Sequence, residues 1–192
     1  MRSLSQAQHR DNLLAANRTV IGRIRDTVSG LPDAELRRRP PNGGWSIAEV
    51  LEHLIVSADS YLERLRPILA KEQRAGADPS RTWKPSLMGG LLVQSFRSPR
   101  KMRAPKIYKP GPAPRPRVLE EFLHRQEEAG RLLTQSGDMD WHGVRFVSPV
   151  TSLIRMNLGD ALTVLVAHAE RHAEQIERVR AANAKQSELA SR

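Results

Sequence analysis

The sequence predicts an all-α fold, an antiparallel four-helix bundle with a long connection between its second and third helices. Three observations carry that expectation. Four long segments repeat apolar residues at alternating threes and fours, the spacing of one face of a helix. No convincing strand pair is visible, because the one extended-looking stretch, Val144 to Val150, has no good partner nearby. A single segment, residues 79–119, is too rich in proline for helix or central strand over much of its length, and it falls between the second and third periodic segments.

The first helix is expected from Ser5 to Ser29, with Leu14, Asn17, Ile21, Ile24 and Val28 facing inward. Gly30 and Pro32 end it, since glycine suits a left-handed cap and proline cannot continue a helix. The second helix begins at Ser46, where Ser46 and Glu49 form a capping box. Its inner stripe is Ile47, Leu51, Leu54, Ala58, Tyr61, Leu65 and Ile68. The third covers Arg117 to Gln135, with Val118, Phe122, Ala129 and Leu132 or Leu133 inside. The fourth spans Asn157 to Asn183 on a stripe of Leu158, Leu162, Leu165, Ala169, His172, Ile176 and Val179. Residues 184–192 read as a disordered tail. Helices of this kind cross at about 20° around a shared core.

The 192 residues fit one domain, residues 1–192, because domains commonly run ~100–200 residues. With no cysteine, disulfides, thiolate metal sites and a cysteine nucleophile are excluded. No apolar run reaches the ~18 residues of a membrane span. The start of the chain is too polar for a signal peptide, so a cytoplasmic protein with no membrane partner is expected.

Lys and Arg number 31 against 21 Asp and Glu, a net charge of +10. Residues 79–119 contain ten of the basic residues and no acid, so the remainder balances at 21 against 21. The excess belongs to one crossover loop. A loop this long is a crossover, a lid or a partner-binding segment. Within it, Ser86 to Phe96 is apolar enough for a short helix packed on the body. Nucleic acid is not the expected partner, since no helix-turn-helix, zinc finger or RNA-binding signature is present and aromatics in the loop are few. A basic rim instead suits an anionic small molecule.

The chemistry lies in the histidines. His168 and His172, in HAERHAEQ, are four residues apart and share one face of the fourth helix, where both imidazoles can reach one ion. An unsatisfied buried imidazole costs ~1–3 kcal/mol, so each needs a polar partner or a metal. His53, in the middle of the second helix, can face the pair and complete a three-imidazole site. Such a site suits zinc, nickel or another first-row divalent ion with a coordination position left open. Glu49, one turn before His53, is a candidate to orient its free ring nitrogen, although the capping box is its stronger role. Gln175, three residues after His172, is a second candidate. Glu170 and Glu174 read as a solvated face with Arg171 and Arg178. Trp45 staples the start of the second helix, while Trp83 and Trp141 are expected to pack. His9, His124 and His142 have no partners at ligand spacing, and Tyr108 is a possible substrate contact.

GGWSIAEVLEHL (Gly43 to Leu54) followed by LVAHAERHAEQIERV (Leu165 to Val179) resembles the DinB-like superfamily, over most of the chain from Leu14 to Val179. The Pro/Lys-rich stretch and SPVTSLIRMNLGDAL are also similar to members of one branch. The resemblance implies a four-helix bundle in which His53, His168 and His172 bind a divalent metal. Some relatives are S-transferases or isomerases that use a low-molecular-weight thiol such as bacillithiol, mycothiol or glutathione, with a metal-activated thiolate. Others are hydrolases, where the metal activates water. A small-molecule substrate is implied in both cases. Relatives are often dimers, so a homodimer is also implied. Neither motif selects thiol over water or names a catalytic residue, and a metal-binding bundle without catalysis, acting as a sensor, store or interaction module, is the further alternative.

Overall fold

The computed structural model describes residues 4–41, 43–71, 78, 80–98, 103–111 and 113–190. Pro79, Pro99, Arg100, Lys101 and Pro112 of the basic segment, and the last two residues of the tail, lie outside the described residues. The long helices are α1 (Gln6–Val28), α3 (Ile47–Lys71), α5 (Val118–Gln135) and α6 (Leu158–Ala190); α2 (Asp33–Arg37) and α4 (Leu87–Arg97) are short.

Three of the four long helices start at a capping box built from local sequence, whereas α5 starts at Arg117, at a φ of 54° and without a side-chain cap. Ser5 Oγ accepts from Gln8 N while Gln8 Oε1 accepts from Ser5 N, a capping box at α1. Ser46 and Glu49 make the same exchange at α3. Asn157 and Asp160 repeat it at α6. α1 stops at Ser29, and Gly30 takes a φ of 77°, in the left-handed region expected there.

The direction of the helices follows from their contacts. His9 meets Thr163 and Arg23 meets Glu177, so α1 runs parallel to α6. Arg125 pairs with Asp59 and Arg66 with Glu128, so α3 runs parallel to α5. Gln6 bonds Met139 O beyond the end of α5 and Asn17 bonds Gln126 O, so α1 and α5 are antiparallel. α3 and α6 are antiparallel too, with Leu65 and Leu69 clustered near Leu158 and Leu162, and Val50 and Leu51 near Ala173 and Ile176. Each of α1 and α3 packs against both α5 and α6. The four-helix bundle is present, with two neighbouring pairs antiparallel and two parallel. The parallel α3–α5 pair explains the crossover: α3 has 25 residues, so the chain must return about 37 Å along the bundle before α5 can start. No short turn can do that.

Several details differ from the sequence reading. β1 (Arg145–Val147) pairs antiparallel with β2 (Arg155–Asn157), with Phe146 opposite Met156. Val144 to Val150 therefore has a partner after all, reached through a hairpin, and three residues a side are too few for alternation to show. Leu13 and Val20 are buried in α1, whereas Leu14 and Ile21 are only half-buried. α6 continues past Asn183, and residues 184–190 are helix rather than a disordered tail. Asn183 is the anchor there, donating to Arg38 O while Arg38 donates to Asn183 O. The short helix expected at residues 86–96 is α4, running alongside α6.

Candidate metal centre

The triad forms on the α3–α6 seam. α3 buries His53 about two turns after its capping box, and α6 presents His168 and His172 one turn apart. The imidazole nitrogens of the three converge, and they form the one cluster of potential ligands among the described residues. His168 Nε2 lies 3.2 Å from His53 Nε2 and 3.1 Å from His172 Nε2.

The outer ring nitrogens set the chemistry. His53 Nδ1 is 2.6 Å from Tyr108 O, and His172 Nδ1 is 2.8 Å from Gln175 Oε1. A carbonyl oxygen only accepts, so both Nδ1 atoms carry the proton and both Nε2 atoms of the neutral rings are bare. His168 Nδ1 has a longer contact, 3.5 Å, to Ser57 Oγ. A proton on His168 Nε2 serves one bare neighbour at a time, while a cation at the centre serves all three nitrogens. A tetrahedral ion with Zn–N bonds of ~2.05 Å separates its nitrogens by about 3.3 Å. The donor set therefore fits a first-row divalent metal.

Burial keeps the site neutral. It depresses the His172 pKa to about 3, with the charge of His53 adding to the shift. His168 is held well below its usual range, by burial first and then by His172 and His53. Burial also lowers His53, against the opposing pull of the Tyr108 carbonyl. Uncharged imidazoles are the form that ligates metal.

Gln175 orients His172, but Glu49 does not orient His53. Its carboxylate accepts from Ser46 N and from the Arg39 guanidinium, which leave it no reach toward the ring. Burial alone would raise the Glu49 pKa, yet the bonds from Arg39 and Ser46 hold it below the ordinary value. Neighbouring Glu52 is likewise consumed, by the side chain and backbone N–H of Arg115. Among the described residues, no carboxylate joins the cluster.

The crossover supplies parts that sequence reasoning missed. Tyr108 contributes its main-chain oxygen to His53, while its buried side-chain hydroxyl accepts from Ser60 Oγ. Phe96, at the end of α4, packs its ring 5.1 Å from that of His168, and Trp45 lies 5.1 Å from His53. Its apolar run marked α4, but nothing in sequence tied Phe96 to His168. His9 stacks on Trp83 and bonds Thr163, while His142 accepts from Lys84 N. Trp141 is fully buried, its indole N–H bonded to Ser136 O. His124 is exposed. Clefts of about 470 and 270 Å³ lie at opposite ends of the bundle, and neither is lined by a triad histidine.

A helical bundle with three convergent imidazoles on one seam is the architecture of a metal-binding protein. The model of the DinB superfamily matches residues 16–176, and the chain belongs to that superfamily. Among solved structures it is similar to YfiT from Bacillus subtilis, described as a probable metal-dependent hydrolase with an unusual four-helix bundle topology. That likeness has a TM-score of 0.56 at 20% identity, covers 93% of this chain and 89% of the other, and shows the fold. No curated protein matches the chain. No described helix is long and apolar enough to cross a membrane.

Proposed function

We propose that this chain is a metal-dependent enzyme in which His53, His168 and His172 hold a divalent transition metal, zinc or nickel, and which transfers or isomerises through a low-molecular-weight thiol. The observation that carries the reading is the convergence of the His53, His168 and His172 nitrogens, all within 4.8 Å of one another and within reach of one ion. A thiol ionises with a pKa of about 8.5 and needs no protein base at a cationic centre. When bound, the metal would supply the charge that holds that thiol as a thiolate. His53 and His172 direct their lone pairs inward because Tyr108 O and Gln175 Oε1 hold the opposite protons. Three protein ligands leave a position open for a small-molecule cosubstrate.

A metal-dependent hydrolase is the second reading, favoured by the description of YfiT and by the ability of three-imidazole sites to bring bound water to a pKa of about 7. Metal analysis of the purified protein against a His168→Ala, His172→Ala variant tests the site, and equal metal content would sink both readings. A panel of thiols with an electrophile, run beside a panel of esters and amides, separates the two. Turnover that requires thiol supports the first reading; hydrolysis without thiol overturns it in favour of the second.

A further inference from the structure

We propose that the outer face of the crossover, α4 together with the 3-10 turn Lys106–Tyr108, docks on an anionic lipid surface. α4 buries Gly89 and Val93 and turns Leu87, Met88 and Leu91 outward, at 76%, 40% and 58% exposure. The 3-10 turn buries Tyr108 and exposes Ile107 at 58%. Both elements sit over the same seam, because Phe96 packs on His168 and Tyr108 O bonds His53, two histidines whose Nε2 atoms are 3.2 Å apart. Their outward apolar side chains therefore belong to one side of the bundle.

The segment that carries these elements is basic. Lys84, Arg97, Arg103, Lys106 and Lys109 are exposed, while Arg81, Arg115 and Arg117 are taken by Asp140, Glu52 and Glu120. No acidic residue occurs anywhere in residues 79–119. Exposed aliphatic side chains flanked by lysine and arginine are the composition of a surface that lies in the headgroup region, the apolar tips entering the acyl boundary and the cations meeting lipid phosphates.

The charge selects among occupants. A second copy would meet this face with the same face across a two-fold axis, setting positive against positive. Duplex nucleic acid would satisfy the cations but leave Leu87, Leu91 and Ile107 in water, and aliphatic side chains contribute little to phosphate contacts. An anionic bilayer satisfies both parts. A peripheral surface of this kind needs no membrane-spanning segment.

The test uses the full chain in vesicle flotation, with phosphatidylcholine alone or with about 30% phosphatidylglycerol. The expected result is partition into the anionic vesicles, weakened by salt, and little into neutral ones. A Leu87→Asp, Leu91→Asp variant, altered only at exposed positions and checked by its melting curve, should lose about tenfold or more of that partition. Failure of the unaltered chain to prefer anionic vesicles overturns the proposal, as does full retention of partition by the aspartate variant. Equal binding of both proteins to a DNA duplex that displaces the vesicles would assign the face to nucleic acid instead. A dimer in solution that the aspartates break, with no vesicle binding, would assign it to a second copy.

Discussion

The carbonyl oxygen of Tyr108 lies 2.6 Å from Nδ1 of His53, a residue 55 positions earlier in the chain. One bond thus ties the crossover to the three-histidine cluster and decides which nitrogen of His53 faces inward. A main-chain acceptor cannot be removed by changing the side chain, so position 108 resists ordinary mutagenesis as a probe. The equivalent bond on α6 comes from a side chain, Gln175, and is open to test.

Replacing Gln175 by Ala frees Nδ1 of His172 and lets the ring choose the wrong tautomer or turn. Loss of such an outer partner typically weakens metal binding ~10–100-fold. Gln175→Glu keeps an acceptor at the same reach and should retain affinity or gain it. Competition against a chromophoric chelator gives both numbers. An alanine variant that binds metal as tightly as the parent would show that the 2.8 Å contact to Gln175 plays no part in orienting the ligand.

The pH dependence of the metal-free protein follows from its neutral histidines. Burial first, and Arg97 second, lower the pKa of His9 from 6.5 to about 4. The unfolded chain takes up a proton below its own value of about 6.5, whereas the folded chain resists until the lower one. Stability is complete above that range and is lost as the pH falls through it, on the order of 2–3 kcal/mol for this one group. His172, held to about 3, acts in the same direction. The urea midpoint should therefore fall steadily between about pH 7 and pH 4.5, and His9→Phe should flatten part of the slope while keeping the stack on Trp83. Parallel slopes for parent and variant would remove His9 from the account.

The bundle and the triad were legible because both rest on spacing that side chains display. His168 and His172 sit four apart on a periodic helix, and His53 lies beside the stripe of another. Helix direction leaves no such trace: nothing in the periodicity of α3 and α5 states that they run parallel, and only the length of the connection hints at it. The Tyr108 contact was invisible because a carbonyl oxygen has no residue identity. Glu49 keeps the capping role that its spacing from Ser46 favours, while the guanidinium of Arg39, from the preceding loop, takes up the rest of its carboxylate, a contact that no local spacing displays. The strands hid through brevity, and the end of α6 through its dependence on Arg38, a contact between distant residues.

Asp160 and Gly89 give the sharpest test of how α4 is held. Asp160 is fully buried, and its carboxylate accepts from Asn157 N, the residue just before its own helix, and from Ser86 N at the start of α4. One side chain thereby caps two helices and fixes α4 along α6, with Arg171 bonding Phe96 O and Ser98 O at the other end. A Cβ at Gly89 would stand 2.1 Å from Asp160 Cγ. Alanine normally stabilises a helix over glycine by about 1 kcal/mol. Here the carboxylate cannot swing aside without abandoning its backbone donors, so overpacking outweighs propensity and Gly89→Ala should destabilise by roughly 1–3 kcal/mol. Asp160→Ala alone should also destabilise, because it strips the buried amide of Asn157 and the part-buried amide of Ser86 of their acceptor. The two changes together should cost less than their sum, since the shortened side chain makes room for the new methyl group. Urea unfolding of the parent, both single variants and the double variant measures the coupling. Strict additivity would mean that Gly89 and Asp160 do not share the contact that sets α4 in place.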